Sequence, residues 1–255
     1  MLKKFLQPKY KVDLVRLGNS FDGGYLVPKK IIKNTKTLLS FGLGDDWSFE
    51  KDFRKSNNEC QILCFDSTVN KKFWYEYTIL SFFYFIRKFK NFKKMFKYFE
   101  YKSFFNQKKI EHYRKNLVPK IRNIKNEISV KRLEKTYCKE NIFIKMDIEG
   151  EEWRVLFQLK NLENITGMIV EFHDIDLNEK ILEKILQKLN QLAIVHIHSN
   201  NMGGITETGD PKVVEITFLN KKYLGNKKIP INKFRKHPKD FLNDPMRKDI
   251  KISFS

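Results

Sequence analysis

The chain has 255 residues, enough for one large α/β domain whose core needs no disulfide bonds. Three cysteines, Cys60, Cys64 and Cys138, indicate reduced core thiols rather than a disulfide framework or a metal knuckle. The net charge of +20 favours anionic partners in general and identifies none. No apolar run reaches membrane-spanning length and the N-terminus lacks a signal-peptide pattern, so we expect a cytoplasmic protein.

Residues 10–32 predict a β-hairpin, because two short strand-like runs flank the turn Asp22-Gly23-Gly24. The turn is either purely structural or a loop that approaches a ligand closely. In the second case Asp22 or Tyr25 makes a polar contact with the substrate. The turn chemistry alone does not decide between these interpretations.

A glycine turn follows the next predicted strand, Thr37 to Phe41. Gly42 and Gly44 let the backbone approach a ligand, and the N-terminus of the helix that follows favours polar or anionic groups. The second strand of this unit ends in Asp66, at the spacing where nucleoside-binding α/β folds hold a ribose by its hydroxyls. The turn matches neither the full Gly-x-Gly-x-x-Gly pattern nor a phosphate loop, so we expect a nucleoside ligand of another kind.

Residues 71–127 are basic and aromatic, with 16 Lys and Arg against 4 Asp and Glu and with 17 of the 36 aromatic residues. Aromatic residues at helical spacing predict a helical insertion that packs on the sheet or forms a homodimer face. Three alternatives stay open: a lid over a phosphorylated substrate, a membrane-surface helix and a nucleic-acid-binding surface.

Residues 142–156 begin as a buried strand and end as an amphipathic helix. Between the two lies a run of carboxylates, at the carboxyl end of a strand, where open α/β sheets bind ligands: Asp147, Glu149, Glu151 and Glu152. The alternative is that these acidic residues only cap the helix, since acidic residues are favourable in a first turn.

Two further strands carry polar groups. One ends at Glu171 and His173, and another places His196 and His198 on one face, because strand side chains alternate. Residues 225–255 are polar and basic with little pattern, which predicts a loosely packed C-terminal tail.

Four segments together resemble the FkbM-type S-adenosylmethionine-dependent methyltransferases, over roughly residues 14–70 and 130–220. The segments are Leu39-Ser-Phe-Gly-Leu-Gly-Asp-Asp-Trp-Ser-Phe-Glu, Phe65-Asp, Ile144-Lys-Met-Asp-Ile-Glu-Gly-Glu-Glu-Trp and Val170-Glu-Phe-His. The resemblance implies one α/β domain over 1–255 with the Rossmann-like class I methyltransferase fold. Its seven-stranded mixed sheet would have the order 3-2-1-4-5-7-6, a helical insertion after strand 2, and an N-terminal β-hairpin.

The same resemblance implies S-adenosyl-L-methionine as cofactor. Gly42 and Gly44 would approach it by their backbone, Asp66 would bind its ribose, and Asp147 would lie near its methionine end or the acceptor. It also implies O-methylation of a sugar hydroxyl, in a nucleotide-linked sugar such as a heptose, for surface or capsular polysaccharide synthesis. Asn200 and Asn201 are further candidate substrate contacts.

Methyl transfer to a hydroxyl needs a base within reach of the acceptor oxygen. The candidates at strand ends are Asp147, Glu171, His173 and His198, with Asp147, His173 and His198 preferred as catalytic residues. In a variant of this site, Asp147, Glu171 and His198 bind Mg or Mn, which lowers the pKa of the hydroxyl.

A rival interpretation is an RNA-binding or RNA-modifying methyltransferase that uses residues 71–127. The sequence lacks the Asn-Pro-Pro-Tyr and Asp-Pro-Pro-Tyr motifs of amino-group methylation and any recognisable nucleic-acid module. We therefore expect a nucleotide-sugar substrate and no nucleic-acid partner.

Overall fold

The computed structural model describes residues 1–88, 96–123, 125–225 and 234–255, with side chains for all of these except 84–88. In these ranges, no helix is both long and apolar enough to cross a membrane.

The described ranges contain eleven strands. Seven of them form the main sheet, in the predicted order, and the other four form two two-stranded sheets. Along the chain the strands are β1 (Leu14–Leu17), β2 (Tyr25–Pro28), β3 (Thr37–Phe41), β4 (Gln61–Phe65), β5 (Ile110–Tyr113), β6 (Asn116–Val118), β7 (Glu127–Ser129), β8 (Ile142–Met146), β9 (Ile165–Phe172), β10 (Leu192–Ser199) and β11 (Val214–Asn220). The sheet order is β10-β11-β9-β8-β3-β4-β5. In this sheet β11 runs opposite to the other six strands, which are parallel to one another. Renumbered within the sheet, this order is 3-2-1-4-5-7-6 with strand 7 reversed, as predicted.

Helices cover both faces of the sheet. They are α1 (Lys29–Ile32), α2 (Ser48–Ser56), α3 (Lys71–Lys88), α4 (Lys97–Phe105), α5 (Val130–Tyr137), α6 (Glu152–Gln158) and α7 (Ile175–Lys188). One apolar core contains Leu156 of α6 and Leu182 of α7, and the other contains Phe49 and Phe53 of α2. Every residue of β8 is buried between the two cores, which is why this strand is a continuous apolar run apart from Lys145.

The predicted N-terminal hairpin is present. β1 and β2 pair antiparallel, with Leu17 opposite Tyr25 across the turn. The hydroxyl of Thr217 in β11 donates to the carbonyl of Leu26 at 2.8 Å, so the hairpin is fastened to the sheet. This contact places the turn residues Asp22 and Gly23 over the carboxyl ends of the central strands.

The helical insertion after strand 2 is present but shorter than predicted. Helices α3 and α4 lie between β4 and β5, whereas Ile110–Tyr113 is the third strand of the main sheet. We included this strand in the insertion because it is short and, as an edge strand, carries the polar residues Glu111 and His112. Trp74 of α3 packs edge-on against Trp47 at 6.1 Å between ring centroids, which joins the insertion to the glycine turn.

The loosely packed C-terminal tail stays a prediction: residues 234–255 are mostly exposed and form no helix, yet several contacts fasten them to the domain, and residues 226–233 lie outside the described ranges. Phe254 pairs with Leu2, and the Ser255 backbone N–H donates to the Leu2 carbonyl at 2.9 Å. Asn243 is buried and donates to Glu215 at 2.7 Å. These contacts are made by single polar side chains and by backbone hydrogen bonds. The sequence of the segment therefore shows no periodic pattern of hydrophobic residues.

Candidate functional site

A cavity of about 1110 Å³ opens at the carboxyl ends of β3, β4 and β8. It is large enough to hold a cofactor and a small acceptor together. Its lining brings together six of the predicted site residues from four separate segments of the chain: Asp22, Tyr25, Gly42, Gly44, Asp66 and Asp147.

The glycine turn approaches the strand end that carries Asp147. Gly42 has φ of +80°, and a Cβ there would lie 1.7 Å from the carbonyl oxygen of Asp147. Only glycine fits this close contact. Gly44 also has positive φ, at +55°, but a Cβ there would meet nothing within 4 Å. The space beside Gly44 therefore belongs to the cavity, as expected for a turn that a ligand approaches.

The Asp66 carboxylate holds the glycine turn in place. One oxygen accepts from the backbone N–H groups of Leu43 at 2.9 Å and Gly44 at 3.0 Å. The other accepts from the Thr68 N–H at 2.7 Å and hydroxyl at 2.6 Å. Burial alone would raise the pKa of Asp66, but these hydrogen bonds outweigh it and hold the pKa below its usual value.

Lys145 is a buried cation that sequence analysis did not assign to the site. Its Nζ donates to the carbonyl of Gly42 at 2.5 Å. Burial disfavours the ammonium, yet the charges of Glu50 and Asp147 outweigh that cost and raise the pKa of Lys145. Lys145 therefore stays charged and supports both the glycine turn and Asp147.

His173 does not itself line the cavity, but its ring lies next to Asp147 and Glu149, which do, and its side chain is 16% exposed. Its Nδ1 contacts Glu152 Oε1 at 3.0 Å. Its Nε2 faces three other carboxylates, at 3.4 Å from Glu149, 3.8 Å from Glu171 and 4.0 Å from Asp147. The structure thus brings together His173, Asp147 and Glu171, three of the four predicted base candidates.

These acidic neighbours change the protonation of the group. Burial opposes charge on His173, but the hydrogen bond to Glu152 and the surrounding carboxylates outweigh it and raise the pKa of His173. Burial raises the pKa of Asp147 more than Lys145 and His173 lower it. Burial, together with the charges of Asp147 and Glu215, holds the pKa of Glu171 well above its usual value. The site therefore favours a bound cation or a set of hydrogen-bond donors.

The predicted contacts at Asn200 and Asn201 have other partners. Asn200 donates to Glu171 at 2.8 Å and accepts from the N–H of Met202, so it orients Glu171. Asn201 donates to the carbonyl of Asp244 at 2.8 Å and accepts from its N–H, which fastens the C-terminal segment. Neither residue lines the cavity. Both were chosen as polar residues after a strand, a pattern that does not distinguish a ligand contact from a structural one.

His198 is not part of the cluster, so the structure does not bring this predicted catalytic residue and metal ligand together with His173, Asp147 and Glu171. Its Nε2 contacts Asn243 at 3.2 Å and its Nδ1 lies 3.8 Å from Asp240, both in the C-terminal segment. Burial lowers the pKa of His198 to about 4, so the ring is neutral near pH 7. Strand alternation placed it correctly on a face with His196, but that face meets the C-terminal segment.

The predicted metal-ligand set of Asp147, Glu171 and His198 is therefore not assembled. In the described ranges, one group has the geometry to bind an ion: Asp147, Glu149 and His173, with ligand atoms within 4.8 Å of one another. The Glu149 side chain is 86% exposed, whereas those of His173 and Asp147 are mostly covered.

Comparisons with known proteins reach the fold level only. No protein-family model matches the sequence, and no curated protein does either. The Methanococcus jannaschii pre-rRNA processing protein fibrillarin is similar over 83% of this chain and 84% of its own, with a TM-score of 0.41 and 8% identity. TrmK of M. capricolum, solved with S-adenosylhomocysteine, is similar over 78% of this chain and 66% of its own, with a TM-score of 0.37 and 14% identity. The mitomycin 7-O-methyltransferase MmcR is similar over 74% of this chain and 50% of its own, with a TM-score of 0.34 and 9% identity.

These similarities are too low to assign a substrate or a residue role. The FkbM resemblance consequently stays a prediction. The fold follows from the strand order, the reversed strand β11 and the position of the glycine turn. The chain has the Rossmann-like methyltransferase fold.

Proposed function

We propose that the protein transfers a methyl group from S-adenosyl-L-methionine to a hydroxyl of a sugar, carried by a nucleotide, for surface polysaccharide synthesis. One observation carries the proposal: a histidine ringed by carboxylates lies beside a cavity whose other wall is a glycine turn held by Asp66. This arrangement supplies a base, an electrostatic partner for a cation and a cofactor cradle in one site.

The cofactor fits the residues that are present. The open space beside Gly44 and the backbone of the glycine turn would receive the nucleoside part, next to Asp66. Asp147 gives the site a carboxylate toward which a sulfonium is attracted. S-adenosylmethionine supplies the activated methyl group, so the protein needs no covalent intermediate.

The protein's own task is to hold the acceptor and remove its proton. Nε2 of His173 would take the proton of the acceptor hydroxyl, to which bound S-adenosylmethionine would supply the methyl group. The proton then leaves His173 for solvent. Asp147, which lines the cavity, accepts a hydrogen bond from another hydroxyl of the acceptor and orients it.

The charge distribution supports a sugar as the reacting group. Asp147 and Glu149 line the cavity beside His173, so a phosphodiester would be repelled there, whereas hydroxyls can donate to these carboxylates. Cationic side chains also line the cavity, and these favour the phosphates of a nucleotide-linked acceptor: Lys97, Lys120, Arg122 and Arg154.

RNA modification is the second candidate, favoured by the net charge of +20 and by the basic residues of 71–127. It predicts RNA binding that weakens steeply with salt. Binding that is weak, or independent of salt, would remove this candidate. Two further proposals concern the aromatic side chains of the insertion. They would contact a membrane surface, or they would form a homodimer interface.

Replacing Asp66 by alanine should weaken S-adenosylhomocysteine binding more than tenfold. The change removes four hydrogen bonds to a buried carboxylate, so we also expect the free energy of unfolding to fall by about 2–4 kcal/mol. Calorimetry and denaturant unfolding measure the two effects. Thr68→Val is the control, since it removes only one of the four bonds. Unchanged affinity in Asp66→Ala would contradict the role of Asp66 in cofactor binding.

Exhaustive chelation should leave turnover unchanged. In the proposed mechanism the lone pair of His173 Nε2 accepts the proton, and the same lone pair cannot also bind an ion. The test is a rate measured after treatment with a strong chelator, with and without added Mg or Mn. A loss of activity that Mg or Mn restores would instead assign Asp147, Glu149 and His173 to a metal centre.

A further inference from the structure

The carboxylate of Glu152 lies beneath His173 and is wholly buried. One oxygen accepts from the His173 backbone N–H at 2.7 Å and contacts the ring Nδ1 at 3.0 Å. The second oxygen accepts from the N–H of Gly150 at 2.8 Å. The proposed reaction uses His173 but gives this side chain no part, and helix capping does not explain a contact with the imidazole.

The contact with Nδ1 fixes which ring nitrogen carries the proton. Glu152 Oε1 already accepts from a backbone N–H, and a carboxylate can only accept, so in neutral His173 the hydrogen must be on Nδ1. The lone pair is then on Nε2, the nitrogen that faces Asp147, Glu149 and Glu171. The opposite tautomer would set two acceptors against each other at 3.0 Å.

A second contact from the same helix holds the histidine from its other side. The indole Nε1 of Trp153 donates to the carbonyl of His173 at 3.0 Å. The backbone N–H, the ring and the carbonyl of His173 are therefore all bonded to residues 152 and 153 at the start of α6. Because α6 directly follows the strand end bearing Asp147, the motif Glu-Gly-Glu-Glu-Trp sets the ring relative to that carboxylate.

We propose that Glu152 is a positioning residue that holds His173 in the Nδ1–H form and thereby presents Nε2 as the base for the acceptor hydroxyl. The catalytic part of this statement rests on the proposed function. The tautomer does not, since it is a property of the protein without any ligand.

Four carboxylates face the imidazole: Asp147 and Glu149 from the segment after β8, Glu152 from α6 and Glu171 from β9. Glu152 raises the pKa of His173 by both its hydrogen bond and its charge. Glu152→Gln removes the charge and can turn an amide N–H toward Nδ1. The pKa of His173 should then fall, and part of the neutral ring should change to the Nε2–H form.

The test is nitrogen and proton NMR of the five histidines in the ligand-free protein, with His173 identified by the signal that His173→Gln removes. In the wild type we expect neutral His173 to be predominantly Nδ1–H. In Glu152→Gln we expect a lower pKa and a mixed tautomer. Glu134→Gln is the matched control, because Glu134 also accepts two backbone N–H groups, from Lys160 and Asn161, but contacts no histidine.

Wild-type His173 found mainly as the Nε2–H form would overturn the proposal, even if Glu152→Gln failed to fold. An unchanged tautomer and pKa in a folded Glu152→Gln would also overturn it. Activity gives the second measure: kcat should fall at least tenfold with KM within about twofold, and the rise of kcat/KM should move to lower pH. Glu134→Gln should leave both unchanged. NMR values as expected without methyl transfer would count against the proposed function and leave the tautomer in place.

Discussion

Replacing His173 by glutamine should lower kcat by roughly 10²–10⁴-fold, the usual contribution of a positioned general base. Nε2 of His173 is the nitrogen that faces Asp147, Glu149 and Glu171 beside the cavity, and glutamine offers no group that can take a proton there. Affinity for S-adenosylhomocysteine should stay within a few-fold, because the glycine turn and Asp66 are unchanged. Methyl transfer measured by mass detection gives kcat, and calorimetry gives the affinity.

The matched control is His198→Gln. His198 is a buried histidine of β10 whose ring contacts Asn243 and Asp240, away from the cavity. Its replacement should lower stability and leave kcat within about twofold at a temperature where the variant is folded. Normal turnover in His173→Gln, or a comparable loss in His198→Gln, would refute the assignment of the base.

The pH dependence of kcat/KM in the wild type should be set by the protonation of His173. A general base acts only when neutral, so kcat/KM should rise with pH through the pKa of His173. The Glu152 hydrogen bond and the neighbouring carboxylates raise that pKa above the usual value for histidine. The rise should therefore lie at higher pH than for an exposed histidine, and it should be absent from the residual activity of His173→Gln.

Gly42→Ala should strongly destabilise the protein and its cofactor site, whereas Gly44→Ala should have a mild effect on stability. Both residues have positive φ, so both variants carry a backbone cost of about 1–2 kcal/mol. Only at Gly42 would the added Cβ lie 1.7 Å from the Asp147 carbonyl oxygen and 2.8 Å from its carbon, which must displace the turn or the strand end. The difference between the two variants in unfolding free energy measures the effect of that contact, because a Cβ at Gly44 would also enter the space proposed for the nucleoside.

Equal effects of the two substitutions would show that backbone strain alone matters and that the close approach of the turn to Asp147 does not. A mild Gly42→Ala with normal affinity would contradict the cofactor cradle. We expect instead that Gly42→Ala unfolds at lower denaturant and binds at least a hundredfold more weakly.

The central sheet could be predicted because its strands bury both faces. β3, β4 and β8 are short, largely apolar runs that are directly followed by glycine or aspartate, and the structure has the predicted bounds for β3. The edge strand β5 was missed because one of its sides lacks a neighbouring strand, which allows polar residues in it. Tertiary contacts, which leave no local pattern, also decided the packing of residues 234–255.

The sequence predicts the site only where neighbouring strands end side by side, because the residues at those ends then lie close together. Asp147 and His173 directly follow the neighbouring strands β8 and β9, and Glu171 is near the end of β9, so the three meet. His198 follows the same rule in sequence but lies in β10, which β11 separates from β9. Lys145 was not predicted as a site residue, and Glu152 was predicted only as one of four carboxylates that could cap the helix, because spacing does not distinguish a buried charge from an exposed one.

The most direct test of the account is methyl transfer from isotopically labelled S-adenosylmethionine to a panel of nucleotide-linked sugars, with RNA in a parallel reaction. The account predicts label on a sugar oxygen of at least one nucleotide-linked sugar, no label on RNA, and loss of the product in His173→Gln. Label on RNA alone, or a sugar product that His173→Gln makes as fast as the wild type, would contradict it.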